Sequence, residues 1–326
     1  MLRGGRAAVD EAAQILLRGG LVAFPTETVY GLGAAINRRG AVRRIFSVKG
    51  RPLGNPLIVH ISHREQLEQV VSSVPPVAAR LMTRFWPGPL TLVLPRAAAL
   101  LSEISAGLPT VAVRMPAHPL ALALIRAVGV PLVAPSANLS GRPSPTTPGH
   151  VLADLVGKIE AVIDGGPCRL GIESTVLDLT SGSSPVILRP GGVSREELER
   201  ELGITVSSVG RFRGAGPPPR VTKPRPCLPR SGLLLIRGVP ERRRRLIWSL
   251  IRYYRGRGMT VAWLNPAGAK GATSGKIGLA PLLYGRLRRC ELRGVRVILA
   301  EEISPRGLGA GVMNRLQNLA TRVIRV

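Results

Sequence analysis

The chain has 326 residues, of which 45% are hydrophobic, and its 46 lysines and arginines against 19 aspartates and glutamates give a formal net charge of +27. This composition is typical of a two-domain globular protein and excludes a disulfide-stapled mini-protein. No apolar run approaches the ~20 residues of a membrane-spanning helix, and the N-terminal stretch has no signal-peptide features, so we expect a cytoplasmic protein without a membrane segment.

The positive charge is concentrated in the C-terminal part of the chain. Residues 1–200 contain 21 basic and 14 acidic residues, a balance of +7, whereas residues 201–326 contain 25 and 5, a balance of +20. Such an excess favours contact with RNA. An arginine-rich, thermophilic proteome explains the excess equally well. Aromatic residues make up only 3% of the chain, and no platform for stacking bases is evident.

Helices and short apolar strands alternate along the first 200 residues. A first helix is expected from about Val9 to Arg18, with Asp10 and Glu11 in its opening turn and a stop at the Gly-Gly pair that follows. Apolar, β-branched runs typical of strands cover residues 21–24, 90–94, 111–113, 131–134, 161–163, 176–179 and 186–188. Strands that alternate with helices in this way predict an α/β sheet.

A proline-rich stretch then interrupts this pattern, because its proline density forbids both a helix and a central strand. We therefore predict a first domain over residues 1–209, a linker over 210–231 and a second domain over 232–326. After the linker, the runs GLLLIRG, MTVAWLN and VRVILAEEI are separated by helical segments such as residues 241–254. They predict a small α/β domain with a parallel sheet.

Small polar side chains follow or enter several of the predicted strands, in FPTETVYGLGA (24–34), APSANLSGRPSPTT (134–147), GIESTVLDL (171–179) and VILRPGG (186–192). The side chains in question are Thr26, Thr28, Tyr30, Ser136, Asn138, Ser144, Glu173, Ser174, Thr175 and Arg189. Each motif by itself is also consistent with an edge strand or an ordinary turn. Together they predict one site for a polar ligand at the strand ends.

The stretch KGRPLGNPLIVH (49–60) is cationic and contains no acid. Lys49 and Arg51 would share a face of an extended chain, a conformation toward which Pro52 biases Arg51, and Asn55 would add an amide donor. Two fixed cations and an amide match phosphate oxygens, although a lone Lys-x-Arg is more often a solvated loop. His60 follows an apolar run, and such a histidine is more often packed than catalytic.

Several common sites are excluded by inspection. KGATSGKI comes near a Walker A loop, but Lys270 stands where the first glycine belongs and Ile277 where the hydroxyl belongs. No Gly-x-Gly-x-x-Gly follows the first strand and no Gly-x-Ser-x-Gly elbow occurs, so dinucleotide binding and a nucleophilic serine have no support. The isolated cysteines Cys168, Cys227 and Cys290 predict free thiols and no structural metal.

Six motifs resemble, in their order and spacing, those of the YrdC/Sua-type L-threonylcarbamoyladenylate synthases. They are PTETVYGLG, KGRPLGNPLIVH, TVAVRMPAHP, APSANLSG, GIESTVLDL and LRPGG. GLGAGVMNRLQNLA (307–320) resembles the closing segment of the family's two-domain branch, so the resemblance runs from about residue 10 to the C-terminus. It implies a YrdC-type twisted, open α/β sheet domain followed by a smaller, Rossmann-like α/β domain.

The resemblance implies a nucleotidyltransferase that condenses L-threonine, bicarbonate and ATP into threonylcarbamoyl-AMP and pyrophosphate for the threonylcarbamoyladenosine modification of tRNA. Mg²⁺ would accompany the ATP phosphates without a metal site of its own on the protein, and no organic cofactor is expected. A downstream tRNA threonylcarbamoyl-transferase complex would receive the product, and the basic C-terminal part would contact tRNA.

The same resemblance assigns site residues motif by motif. Those implied for L-threonine are Thr28, His60, Arg114 and Ser174. Those implied for ATP are Lys49, Arg51, Asn55, Thr110, Ser136, Asn138, Ser144 and Arg189, with Lys49 and Arg51 also catalytic. Attack of an anionic carbamate on phosphorus requires charge neutralisation more than a strong base, so Glu27 and Glu173 are expected to be structural or to act through water.

One departure and two rival interpretations stay open. The family's linker usually carries a segment with Tyr and His that reaches over the active site, but the matching RVTKPRPCLP has neither, which would leave Lys223 or Arg225 to cover ATP. The first rival is a non-catalytic protein that binds double-stranded or transfer RNA. The second is a carbamoyl-adenylate enzyme for another substrate, as in hydrogenase-maturation proteins, whose acylphosphatase and zinc-finger modules this chain lacks.

Overall fold

The computed structural model describes residues 1–182, 184–208, 231–265 and 280–326. These residues fall into two compact units, the first within 1–140 and 144–222 and the second within 141–143 and 223–326. The predicted linker lies, apart from Ser231, outside the described residues, and so do Lys223 and Arg225. The predicted domain limits therefore stay predictions.

The first unit contains one sheet of eleven strands within its described residues, in the order β1-β8-β2-β3-β7-β4-β6-β5-β9-β10-β11. The strands are β1 (Leu2–Arg3), β2 (Val22–Phe24), β3 (Gly31–Ala35), β4 (Ile58–His60), β5 (Leu90–Pro95), β6 (Thr110–Arg114), β7 (Leu132–Val133), β8 (Ala161–Asp164), β9 (Thr175–Asp178), β10 (Val186–Arg189) and β11 (Ser207–Ser208). All seven apolar runs that predicted strands overlap one of them. The sheet is mixed, because β2–β3, β3–β7, β4–β7, β5–β6 and β9–β10 are antiparallel pairs.

Helices cover the sheet on both faces. They are α1 (Arg6–Leu17), α2 (Arg39–Lys49), α3 (Pro76–Phe85), α4 (Ser102–Ser105), α5 (Pro119–Val128), α6 (Pro148–Leu155) and α7 (Arg195–Leu202), with a 3-10 turn at Arg64–Gln69. Because successive side chains of a strand point to opposite faces, Ala23 joins one hydrophobic core while Val22 and Phe24 join the other. The predicted α/β architecture is confirmed.

Two local predictions for this unit are wrong. Helix α1 begins at Arg6, so Asp10 and Glu11 lie in its second turn and no acid occupies the first. The chain is not extended across residues 49–51, because Lys49 ends α2 and Gly50 adopts the left-handed conformation at φ 60°. The Arg51 amide then donates to the Phe46 carbonyl at 2.8 Å, which closes the helix end.

Within its described residues the second unit has one parallel sheet of four strands in the order β13-β14-β12-β15. The three runs after the linker predicted β12, β13 and β14 and the parallel pairing, but not the edge strand β15. Its elements are β12 (Gly232–Arg237), α8 (Pro240–Arg255), β13 (Val261–Leu264), α9 (Ala280–Leu292), β14 (Val297–Glu301), α10 (Leu308–Leu319) and β15 (Arg322–Arg325). Among the described residues no helix is both long enough and apolar enough to cross a bilayer.

Helix α7 begins with a capping box that offers a test of this fold. The Ser194 hydroxyl accepts from the Glu197 amide at 3.2 Å, and the Ser194 amide donates to the Glu197 carboxylate at 2.8 Å. Ser194→Ala should lower the free energy of unfolding by about 1 kcal/mol in urea, because it leaves a helix N-terminal amide unpaired. Ser73→Ala at an exposed loop position is the matched control and should stay within about 0.5 kcal/mol of wild type. An equal effect of both changes would contradict the cap.

Candidate functional site

A buried arginine at the end of β6 organises the first part of the site. The Arg114 side chain is only 4% exposed, and its Nη2 lies 2.7 Å from Oε1 of Glu27, which is 3% exposed. Arg114 also donates from Nη1 to the Thr28 hydroxyl at 2.9 Å and from Nε to the Gly88 carbonyl at 3.2 Å. The second Glu27 oxygen accepts from the Ala117 amide at 3.0 Å. A buried charge of this kind is tolerated only when its partners are in place, so Arg114 ties the loop after β2 to β6.

A second group of hydroxyls surrounds Ser174 at the start of β9. The Ser174 and Thr91 hydroxyls lie 2.7 Å apart, and Arg189 at the end of β10 donates from Nη2 to the Ser174 hydroxyl at 3.1 Å and to its carbonyl at 2.9 Å. Gly191 permits this contact, since a Cβ on it would lie 2.2 Å from the Glu173 carbonyl. Gly191, the first glycine of LRPGG, is therefore required because the chain here passes too close to the backbone of Glu173 and Ser174 for a side chain.

Lys49 is buried at the end of α2, where its ammonium group donates to the carbonyl oxygens of Ser136 and Asn138. Its own carbonyl accepts from the Ser140 amide at 2.7 Å. Burial, together with the nearby Arg51 charge, lowers the pKa of Lys49 well below its usual value, while Asp154 opposes this shift. Lys49 thus fixes the loop that follows β7 against α2.

Arg51 lies beside Lys49 and bends back on its own loop. Its Nη2 donates to the Pro56 carbonyl at 2.9 Å and its Nε to the Asn55 carbonyl at 3.4 Å. Burial lowers the pKa of Arg51 to about 10. The guanidinium therefore stays charged at neutral pH, where it can neutralise an anion.

His60 is a buried neighbour of Arg114, since the two residues pair across β4 and β6. Burial and the Arg114 charge lower the pKa of His60 to about 3, so the imidazole is neutral at physiological pH. Its Nδ1 lies 3.2 Å from the Ile58 carbonyl oxygen. A neutral ring that donates from Nδ1 to this carbonyl has Nε2 as a hydrogen-bond acceptor.

The residues predicted for the site fall into two connected groups. Thr28, His60, Arg114, Ser174 and Arg189 surround the ends of β4, β6, β9 and β10, and Lys49, Arg51, Asn55, Ser136 and Asn138 surround the end of α2. The Ser144 hydroxyl donates to the Glu173 carboxylate at 2.6 Å, which brings the loop after β7 next to Ser174. Arg189, predicted for ATP, contacts Ser174, predicted for L-threonine. Thr110, also predicted for ATP, is the first residue of β6 and pairs with Pro95 of β5, whereas Arg114 is the last residue of the same strand.

One contributor to this site is not predicted from the sequence, and one predicted residue has a different role. Thr91 lies within an apolar strand, where the fully buried hydroxyl of LTLVLP signals a partner, here Ser174. Tyr30 is predicted as a ligand contact, but its Oη donates to the Gly166 carbonyl at 2.8 Å and its ring is fully buried. Tyr30 therefore supports the loop rather than presenting its hydroxyl to a ligand.

The chemistry of the arrangement is that of anion binding. The described residues contain no group of three or more His, Cys, Asp or Glu that could hold a metal ion. Two buried cationic side chains, Lys49 and Arg114, the half-buried Arg51 and several hydroxyls lie within two adjoining clusters. The fold and the arrangement of these side chains are those of an α/β domain with a candidate site for a polar, anionic ligand.

Comparison with known proteins identifies the family. The Sua5/YciO/YrdC family model, described as telomere recombination, matches residues 14–191, and the model described as "Threonylcarbamoyl-AMP synthase, C-terminal domain" matches residues 229–320. The threonylcarbamoyl-AMP synthase of Pyrococcus abyssi is 45% identical over 97% of this chain and 95% of its own length. That of Bacillus subtilis is 44% identical over 97% of this chain and 94% of its own length.

A solved structure gives the same result. The crystal structure of P. abyssi Sua5 complexed with L-threonine superposes with a TM-score of 0.88 at 41% identity, covering 100% of this chain and 98% of that one. The chain therefore belongs to the threonylcarbamoyl-AMP synthase family, in the form that has both domains. The resemblance found in the six N-terminal motifs and in the C-terminal segment is confirmed.

The depressed pKa of His60 gives a testable pH dependence. Between pH 6.5 and about 3 the unfolded chain binds a proton at this residue that the folded chain does not, so stability falls as the pH falls through this window. His60→Gln should remove this contribution, and the variant should lose less stability than wild type between pH 6.5 and about 4.5, by roughly 2 kcal/mol. Urea unfolding at both pH values measures the difference, with His63→Gln at an exposed site as the matched control. Identical pH profiles for wild type and His60→Gln would contradict a buried, neutral imidazole.

Proposed function

We propose that the chain catalyses the condensation of L-threonine, bicarbonate and ATP to threonylcarbamoyl-AMP and pyrophosphate. The observation that supports this function best is the match over the whole chain to a structure of P. abyssi Sua5 complexed with L-threonine. The non-catalytic RNA-binding alternative is not favoured, because the curated relatives that match nearly the whole chain are synthases. The carbamoyl-adenylate alternative with another substrate is not needed for the same reason.

The Arg114 cluster suits L-threonine. The guanidinium and the Thr28 hydroxyl, which are 2.9 Å apart, provide charged and neutral donors for one carboxylate. Entry of that carboxylate would replace part of the Glu27 contact, because both carboxylates use the same guanidinium. His60, as a neutral acceptor, suits the hydroxyl or ammonium of threonine rather than its carboxylate. The Ser174 hydroxyl completes the threonine side of the site.

The C-terminal end of α2 and the loops beside it are suited to bind ATP. Arg51 and Lys49 supply positive charge for the phosphates, and the nucleotide contacts predicted beside them come from Asn55, Thr110, Ser136, Asn138, Ser144 and Arg189. Arg189 touches Ser174 and therefore suits the junction between the two substrates. Mg²⁺ would arrive as part of the ATP complex, because this ion keeps several waters and binds substrate phosphates.

The reaction needs no strong protein base. The threonine ammonium group first loses a proton to solvent, and the amine then adds to bicarbonate with loss of water, or to CO₂ with release of a proton, to form a carbamate. A carbamate oxygen attacks the α-phosphorus of ATP while the bond to the leaving pyrophosphate breaks. Both partners are anionic, so neutralisation by buried cations and alignment of the reacting atoms lower the barrier. The product would pass in the cytoplasm to a tRNA threonylcarbamoyl-transferase complex.

Loss of either cation should slow the reaction. Lys49→Ala or Arg51→Ala should lower threonine-dependent release of pyrophosphate at least ~100-fold, about 2.7 kcal/mol of transition-state stabilisation. Lys158→Ala, at an exposed lysine of the same unit, is the matched control and should retain full activity. Circular dichroism separates inactivity from misfolding. Near-normal turnover in either cation variant would contradict the assigned role.

Threonine binding should depend on the shape of the Arg114 side chain as well as on its charge. Arg114→Lys keeps the charge but loses the planar fork that reaches Glu27, Thr28 and Gly88, so the affinity for L-threonine should fall at least ~10-fold in calorimetric titration. Arg126→Lys, an exposed arginine on α5, is the control for the same chemical change. Unchanged threonine affinity in a folded Arg114→Lys protein would rule out Arg114 as the carboxylate ligand.

A further inference from the structure

The exposed side of α8 in the second unit combines a fixed aromatic ring with a row of arginines. The helix attaches to its own sheet through Ile247 and Ile251, which pack with Ile236 and Leu299 in one core. The flank of the helix next to this packed side is exposed. We call Arg244, Arg245, Trp248, Arg252 and Arg255 the α8 face, because these five exposed residues follow helical spacing around one side of the helix.

Trp248 is an accessible aromatic ring that contacts a second ring. Its side chain is 54% exposed, and its ring stands edge-on against Trp263 of β13, with 5.6 Å between ring centroids and an interplanar angle of 72°. Trp263 is fixed in turn, because its Nε1 donates to the Glu301 carboxylate at 2.9 Å. A large apolar ring exposed to this degree and held in one orientation is typical of a binding surface.

The arginines surround this ring along the helix. Arg244 and Arg245 precede Trp248 by four and three residues, and Arg252 and Arg255 follow it by four and seven. Within the described part of the chain, none of these four arginines forms an ion pair with a carboxylate. Two of the nearby acids have other partners, since Glu302 pairs with Arg237 at 2.6 Å and Glu301 accepts from Trp263. The third, Glu241 in the first turn of α8, leaves four arginines against one carboxylate. The charge around Trp248 is therefore available to an anion.

We propose that the α8 face binds RNA, with an unpaired base stacked on Trp248 and the adjacent phosphates against the arginines. Stacking on an aromatic ring combined with neutralisation of phosphates is how proteins hold single-stranded nucleic acid. A membrane surface fits less well, because arginines rather than apolar side chains flank the ring on the helix. An acidic peptide would use the arginines but not the ring. The low aromatic content of the chain gave no indication of this stacking surface, because a single exposed ring is enough to form one.

RNA binding by the α8 face rests on the proposed function in one respect only, namely that tRNA is the natural RNA partner. Binding is therefore measured on the full chain without ATP or threonine, by fluorescence anisotropy with two RNAs of equal length and charge. One is a stem-loop with unpaired loop bases and the other is a fully paired duplex. Pyrophosphate release is assayed in parallel on every variant, so a failure of the proposed function and a failure of this inference give different results.

Two sets of variants test the ring and the charges separately. Trp248→Ala should weaken stem-loop binding at least ~10-fold, whereas Trp248→Phe, which keeps a stacking ring, should stay within about 3-fold. Changing Arg244, Arg245 and Arg252 together to Gln should reduce the slope of log K against log salt by about 2, because about 0.7 is lost for each phosphate contact to a single strand. Changing the exposed Arg289, Arg293 and Arg306 of the same unit to Gln is the charge-matched control.

The inference stands if the stem-loop binds more tightly than the duplex and only the α8 variants weaken it, with pyrophosphate release unchanged. Equal binding of stem-loop and duplex, with no effect of Trp248→Ala in a folded protein, overturns it. Equal losses in the α8 and control triple variants also overturn it, since they show attraction to any polyanion. Competition by polyglutamate as strong as by RNA would assign the face to an acidic protein instead.

Discussion

The buried charge of Arg114 is the constraint on which the site depends. An arginine that is 4% exposed has lost its water and must find partners inside the protein, and it finds them in Glu27, Thr28 and Gly88. These partners come from the loop after β2 and from the segment before β5. Burial of the imidazole, and after it the Arg114 charge, lowers the pKa of His60 to about 3. Arg114 thus ties the loop after β2 to the sheet and adds to the effect of burial on the neighbouring histidine.

Lys49 acts in the same manner at the other end of the site. Its ammonium group contacts the carbonyls of Ser136 and Asn138, so the loop after β7 is shaped by a cation from α2. The cations of the site are thus satisfied by the protein's own oxygens in the described structure. Substrate oxygens would exchange with these partners, which keeps buried charges compensated throughout the catalytic cycle.

The two units use their positive charge differently. In the first unit the cations of the site are buried and locally compensated, as Arg114 and Lys49 show. In the second unit the arginines of α8 are exposed around Trp248. Buried cations bind a small ligand in one geometry, whereas exposed arginines attract a long anion from solution. The four exposed arginines of the α8 face are part of the +20 balance of residues 201–326.

The sequence by itself determined the family, the α/β class, the apolar strands and the motifs whose residues meet at the site, because these depend on local patterns and on the order of motifs. It did not determine that Lys49 ends a helix, that Thr91 faces Ser174 or that Arg189 reaches Ser174. The Thr91–Ser174 and Arg114–Thr28 contacts join residues 83 and 86 positions apart. Such contacts arise from strand order and register, which local composition does not encode. Only the tertiary structure decided which polar residues are partners, because that choice depends on which buried groups come within hydrogen-bonding distance.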